Sequence, residues 1–171
     1  MFSLGDAELF VVFSESCDGE PKDGGPVAQA RVLVADGEYH TRKILRGLLL
    51  AQGCSKIHEA GDAKRALEAI QALGPDVVLL DWKLPGTGGA SFVRQLRGAG
   101  FAAANVPIII LLGREERSRV LEAVRLGVHE FLLKPISTGA LKARLLSALS
   151  SRSSAAPSHD RQPSNLRKLA S

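Results

Sequence analysis

Val77-Val78-Leu79-Leu80-Asp81 decides the fold. Four apolar residues in a row, too few for a helix and without polar alternation, are the pattern of a parallel strand covered on both faces. The run ends on an acid. The same pattern occurs twice more in the 171 residues: Val32-Leu33-Val34-Ala35 ends on Asp36, and Phe131-Leu132-Leu133 ends on Lys134. In an open parallel α/β sheet, chemistry collects outside the carboxyl ends of the strands, where strand order reverses. Two carboxylates and an ammonium carried there must pair with one another or hold an ion, because burying them unpaired is costly.

Further apolar runs at Lys56–Ala60 and Ile108–Leu112 complete five strands. Helical patterns separate them. Ile44, Leu45, Leu48 and Leu49 share one face, and Ala63, Ala66, Leu67 and Ile70 share another behind an Asp62 cap. Phe92, Val93 and Leu96 form a third, and Val120, Leu121 and Val124 a fourth. Leu141, Leu145 and Leu149 form a fifth, capped by Ser137. Alternating units of this kind predict an α/β fold: a five-stranded parallel doubly wound sheet, flavodoxin-like, of strand order 2-1-3-4-5. That order sets the ends of the first and third strands, and so Asp36 and Asp81, side by side.

Around this core the composition changes. Residues 1–29 hold one Lys and six acids, with Gly19, Pro21, Gly24, Gly25 and Pro26, and read as a flexible acidic extension. Residues 151–171 are rich in Ser, Ala and Pro, with four basic residues and one acid, and read as a disordered basic tail. The domain proper is expected over 30–150. Its basic residues are scattered without aromatic interleaving, which favours an acidic protein partner over nucleic acid. Leu9–Phe13 is too short for a membrane span, and no basic residue precedes it as in a signal peptide. Cys17 and Cys54 lack metal or redox spacing and fit a reducing cytoplasm. His40, His58, His129 and His159 are dispersed, so no metal cluster is read from them.

The stretches Arg31–Asp36, Val77–Gly86, Val106–Ile110 and Phe131–Pro135 together resemble the receiver domain of bacterial two-component response regulators, with the single-domain chemotaxis regulators as the nearest architecture. The resemblance covers about Arg31 to Ser150. It implies a signalling module, not an enzyme: Asp81 takes a phosphoryl group from a histidine kinase or histidine phosphotransfer protein, and Lys134 contacts it. Mg²⁺ is implied on Asp36, Asp81 and the Lys83 backbone carbonyl, with Glu38 as a candidate further ligand. The fourth helix, fifth strand and fifth helix are implied as the face that docks a target protein.

Three departures bear on that inheritance. Gly37 stands where the family has a second acid, so Mg²⁺ is expected to bind weakly. Leu112 stands where the family has a hydroxyl, so its coupling to the strand-five aromatic, Phe131, is expected to be weakened. Gly88-Gly89 stands where Asp-Gly opens the third helix, removing an N-cap. Two functions stay open: a phosphoaccepting receiver, and a degenerate receiver that docks without phosphorylation-driven switching. An enzyme of the same fold is disfavoured, since Asp81 lies in no Asp-x-Asp motif and Gly37–His40 has no Ser/Thr-rich run for a flavin phosphate.

Overall fold

The computed structural model describes residues 25–154 apart from 101 and 129. Five strands form one sheet of order β2-β1-β3-β4-β5, all neighbours parallel. They are β1 (Val32–Ala35), β2 (Ile57–Ala60), β3 (Val77–Asp81), β4 (Ile108–Leu112) and β5 (Glu130–Leu133). Every residue of β1, β3 and β4 is buried, as continuous apolar runs demand of central strands covered on both sides. The two edge strands carry the polar exceptions, His58 and Glu59 in β2 and Glu130 in β5.

The strands' side chains divide alternately between two cores. On one face Val32, Val34, Val77, Leu79, Ile109 and Leu111 meet Leu45 and Leu49 of α2 (Tyr39–Leu50) and Leu141, Leu145 and Ala148 of α6 (Thr138–Ser154). On the other, Leu33, Val78, Leu80, Ile108, Ile110 and Leu112 meet α3 (Ala63–Leu73), α4 (Gly89–Gly98) and Ala123 of α5 (Val120–Arg125). This is the doubly wound architecture that the strand pattern implies. Both expected caps form: the Asp62 carboxylate accepts the Arg65 N–H at 2.9 Å, and the Ser137 hydroxyl accepts the Ala140 N–H at 3.2 Å.

Local readings are corrected in four places. Pro26–Gln29, counted with the extension, form a helical turn, α1, with Pro at its start, and Val27 and Ala30 are buried in the α2/α6 core. At the other end α6 runs on to Ser154, four residues into the stretch read as tail. In α5 the inward residue is Ala123, while Leu121 and Val124 are 69% and 57% exposed. A 3-10 turn, Arg114–Arg119, precedes this short helix, and its three-residue period rotates the face away from the one an α-helix would present. In α2 Ile44 is likewise exposed, leaving Leu45 and Leu49 as the buried pair. Leu9–Phe13, His129, His159 and residues 155–171 lie outside the described residues.

Candidate functional site

Register builds the site. Ala35 pairs with Leu80, so Asp36 and Asp81 leave adjacent strands at the same level. Asp81 pairs with Leu111, and Leu112 with Leu133, so Gly113 and Lys134 leave the next two strands just beyond. The Lys134 ammonium bridges the acids, donating to Asp36 Oδ2 at 2.9 Å and to Asp81 Oδ1 at 2.8 Å. The remaining oxygens accept backbone N–H groups: Asp36 Oδ1 from Glu38 at 2.8 Å and Asp81 Oδ2 from Lys83 at 3.1 Å. Asp36 is 0% and Asp81 8% exposed. The peptide bond from Lys134 to Pro135 is cis.

Burial pushes the Asp81 carboxyl above the usual carboxylate range. The Lys134 ammonium opposes that rise, while the charges of Asp36 and Glu116 add to it. For Lys134 burial alone would lower the pKa. Hydrogen bonds and charge from Asp81 and Asp36 together outweigh it, and the ammonium titrates above the ordinary lysine value.

Glu38 does not join the acids. It is exposed and its carboxylate accepts the Thr41 hydroxyl at 2.9 Å. Leu112 is wholly buried in the core that Phe131 packs against, so no hydroxyl stands at the end of β4. Phe131 is half-buried with the Arg144 guanidinium 5.9 Å from its ring centre. Gly88 precedes α4 at φ 72° with no side-chain cap.

A divalent cation of the Mg²⁺ type wants several hard oxygen ligands in near-octahedral array. These residues do not fit one. Two carboxylates are already joined by an ammonium, and each of their four oxygens has a hydrogen bond. At Gly37 a Cβ would lie 2.6 Å from Pro85 Cγ and 2.7 Å from Cδ, so the room for a second acid's side chain is filled by proline. Among the described residues no three His, Cys, Asp or Glu converge on a metal position.

Two participants escaped the sequence reading. Arg42, one turn into α2, donates to the Asp36 carbonyl at 2.7 Å and to Glu59 of β2 at 3.3 Å, and so pins the loop that carries Asp36. Glu116, in the charged stretch that follows β4, is buried at 7% exposure. Its Oε2 accepts the Gly113 N–H at 2.7 Å, and its Oε1 lies 3.4 Å from Lys83 Nζ without a hydrogen bond. Lys83 also reaches Glu115 at 2.8 Å. Only the four-residue spacing from Gly113 to Glu116, that of a cap, hints at this inward turn in the sequence.

The family described as the response regulator receiver domain matches residues 32–146. The chain is 28% identical over 115 residues to the chemotaxis protein CheY-3 of Vibrio cholerae, covering 67% of this chain and 88% of that one. It is 36% identical over 118 residues to the KDP operon transcriptional regulatory protein KdpE of Escherichia coli, covering 69% of this chain but 50% of KdpE. Among solved structures, NtrX from Brucella abortus superposes with a TM-score of 0.66 at 27% identity, over 72% of this chain and 27% of NtrX. The chemotaxis response regulator CheY4 of Vibrio cholerae superposes at 0.62 and 25% identity, over 70% of this chain and 98% of CheY4.

Proposed function

Because the chain belongs to the response regulator receiver domains, we propose that it is a stand-alone receiver in a two-component phosphorelay, which accepts a phosphoryl group on Asp81 and signals by docking another protein. The observation that carries this reading is the Lys134 ammonium held within 2.9 Å of both Asp36 and Asp81 at the strand ends. The donor is a phosphohistidine of a kinase or phosphotransfer protein. An Asp81 carboxylate oxygen attacks phosphorus, the O–P bond forms as the N–P bond breaks, and the departing imidazole nitrogen takes a proton from solvent. Lys134 neutralises charge on the phosphoryl oxygens, acting as a preorganised point charge in a site largely closed to water. Asp36 keeps that ammonium in place when Asp81 is esterified. Divalent-cation help is weak in this reading, on the donor set described above.

The downstream partner is a protein. Arg117, Arg119, Arg125, Lys142 and Arg144 are exposed on α5, its preceding turn and α6, together with Leu121 and Val124, which makes a mixed basic and apolar face for an acidic partner rather than a nucleic-acid groove. A cytoplasmic setting goes with this role, and no helix among the described residues is long and apolar enough to cross a membrane. A second reading, docking without phosphorylation-driven switching, is favoured by Leu112 and by the Gly37–Pro85 contact. Incubation with acetyl phosphate followed by intact-mass measurement decides between them. Gain of one phosphoryl group by wild type and none by Asp81→Asn supports the acceptor reading. An unmodified wild type leaves the docking module.

A further inference from the structure

The end of β4 holds a buried acid that the proposed transfer does not use. Glu116 lies in the 3-10 turn Arg114–Arg119, and its carboxylate folds back over the strand end to accept the Gly113 N–H. Capping its own turn accounts for one oxygen. It does not account for the other, which is buried without a hydrogen bond and turned towards Lys83, the residue whose backbone N–H holds Asp81. A carboxylate placed like this costs free energy, and it sits close enough to Asp81 to disfavour that residue's charged form. The groups that could receive the oxygens of a phosphoryl group on Asp81 are Lys134, Lys83 and the Gly113 N–H at the neighbouring strand end. Glu116 holds the last and lies 3.4 Å from the Lys83 ammonium, which Glu115 also binds.

We propose that Glu116 gates the Asp81 pocket: its carboxylate occupies the anion position that a phosphoryl group on Asp81 requires, so phosphoryl transfer expels it and releases the turn Arg114–Arg119. The gate rests on Asp81 being the acceptor, and gives that site a switch that Leu112 cannot supply. A phosphoryl dianion and a buried carboxylate cannot share one N–H and one ammonium. When the carboxylate leaves, the turn loses its cap, and α5, which follows it directly and carries exposed Leu121 and Val124, is held at the sheet by Ala123 alone among its buried residues.

The test uses the full chain, acetyl phosphate and three proteins: wild type, Glu116→Gln and Glu115→Gln. Glutamine keeps the shape and the acceptor oxygen for Gly113 but removes the charge. Glu115, exposed and also paired with Lys83, controls for general surface charge. Glu116→Gln is expected to gain its phosphoryl group about tenfold faster than wild type, the change that relief of one like-charge repulsion in a part-buried site supplies. Glu115→Gln should follow wild type. In wild type, amide exchange across 114–119 should speed up on phosphorylation, and in Glu116→Gln this change should shrink. Equal rates for wild type and Glu116→Gln, both modified on Asp81, overturn the gate and leave the acceptor reading standing. No modification of any of the three overturns the acceptor reading and the gate with it.

Discussion

The Asp36–Lys134–Asp81 cluster loses stability with rising pH in two separate windows, one acidic and one alkaline. Asp81 titrates above the carboxylate range because burial penalises its charge. Between the ordinary value and the raised one, the folded chain therefore holds a proton that the unfolded chain has released, and stability contributed by Asp81 falls as pH rises through that window. Asp81→Asn removes the titration. Urea unfolding should show the variant gaining on wild type from acid to neutral pH; a constant difference would mean that Asp81 is not desolvated. Lys134 has the same sign in an alkaline window. Its raised pKa gives stability that is fully present below the ordinary lysine value and is lost as pH rises through the folded one. Lys134→Met strands two buried carboxylates and should cost about 3–5 kcal/mol. Gly37 adds a steric rule. Gly37→Asp alone meets Pro85 and should gain little Mg²⁺ affinity, whereas Gly37→Asp with Pro85→Ala should bind about tenfold more tightly than wild type. Trp82, next to Asp81, reports both by fluorescence, and identical titrations for the single and double variants would show that Pro85 yields freely.

Elements were legible where burial is two-sided and obscure where it is partial. β1, β3 and β4 could be read because a covered strand tolerates only apolar residues, and the polar residues that end the runs of β1, β3 and β5 mark the rim of the sheet. Those strand ends bring Asp36, Asp81 and Lys134 to one place, as the Lys134 bridge to both acids shows. The segment Arg114–Arg119 could not be read in the same way. Its charges suggest a solvated face, and only the 3-10 geometry turns Glu116 inward. Pro85 against Gly37, and Arg42 on the Asp36 carbonyl, are contacts between separate loops and elements that no local pattern encodes. Within β4, Leu112 is bound into the core as firmly as its neighbours. Leu112→Thr should therefore lower stability by about 2–3 kcal/mol while supplying the missing hydroxyl. Thermal unfolding checks the cost, and an unchanged midpoint would mean that the strand end is looser than its burial implies.

Across the whole molecule charge is the organising variable: about −5 over residues 1–29, +6 over 30–150 and +3 over 151–171. An acidic partner meeting the Arg117, Arg125 and Lys142 side of the body should bind with an affinity that drops as salt rises past about 0.1 M, where screening acts within roughly 10 Å. Calorimetric titration over a salt series tests it, and a flat response would move the docking site elsewhere. The sheet order carries a kinetic consequence as well. An all-parallel sheet has no hairpin to start from: β1 must find β3 across 45 residues, Val32 to Val77, before β4 and β5 can add to the growing edge. Lys134 lies 98 residues from Asp36. A chain emerging in order assembles its two acids side by side first and meets their counter-ion last. The ion bridge therefore rewards completion of the whole sheet, because pairing β1 with β3 alone brings two carboxylates together without Lys134.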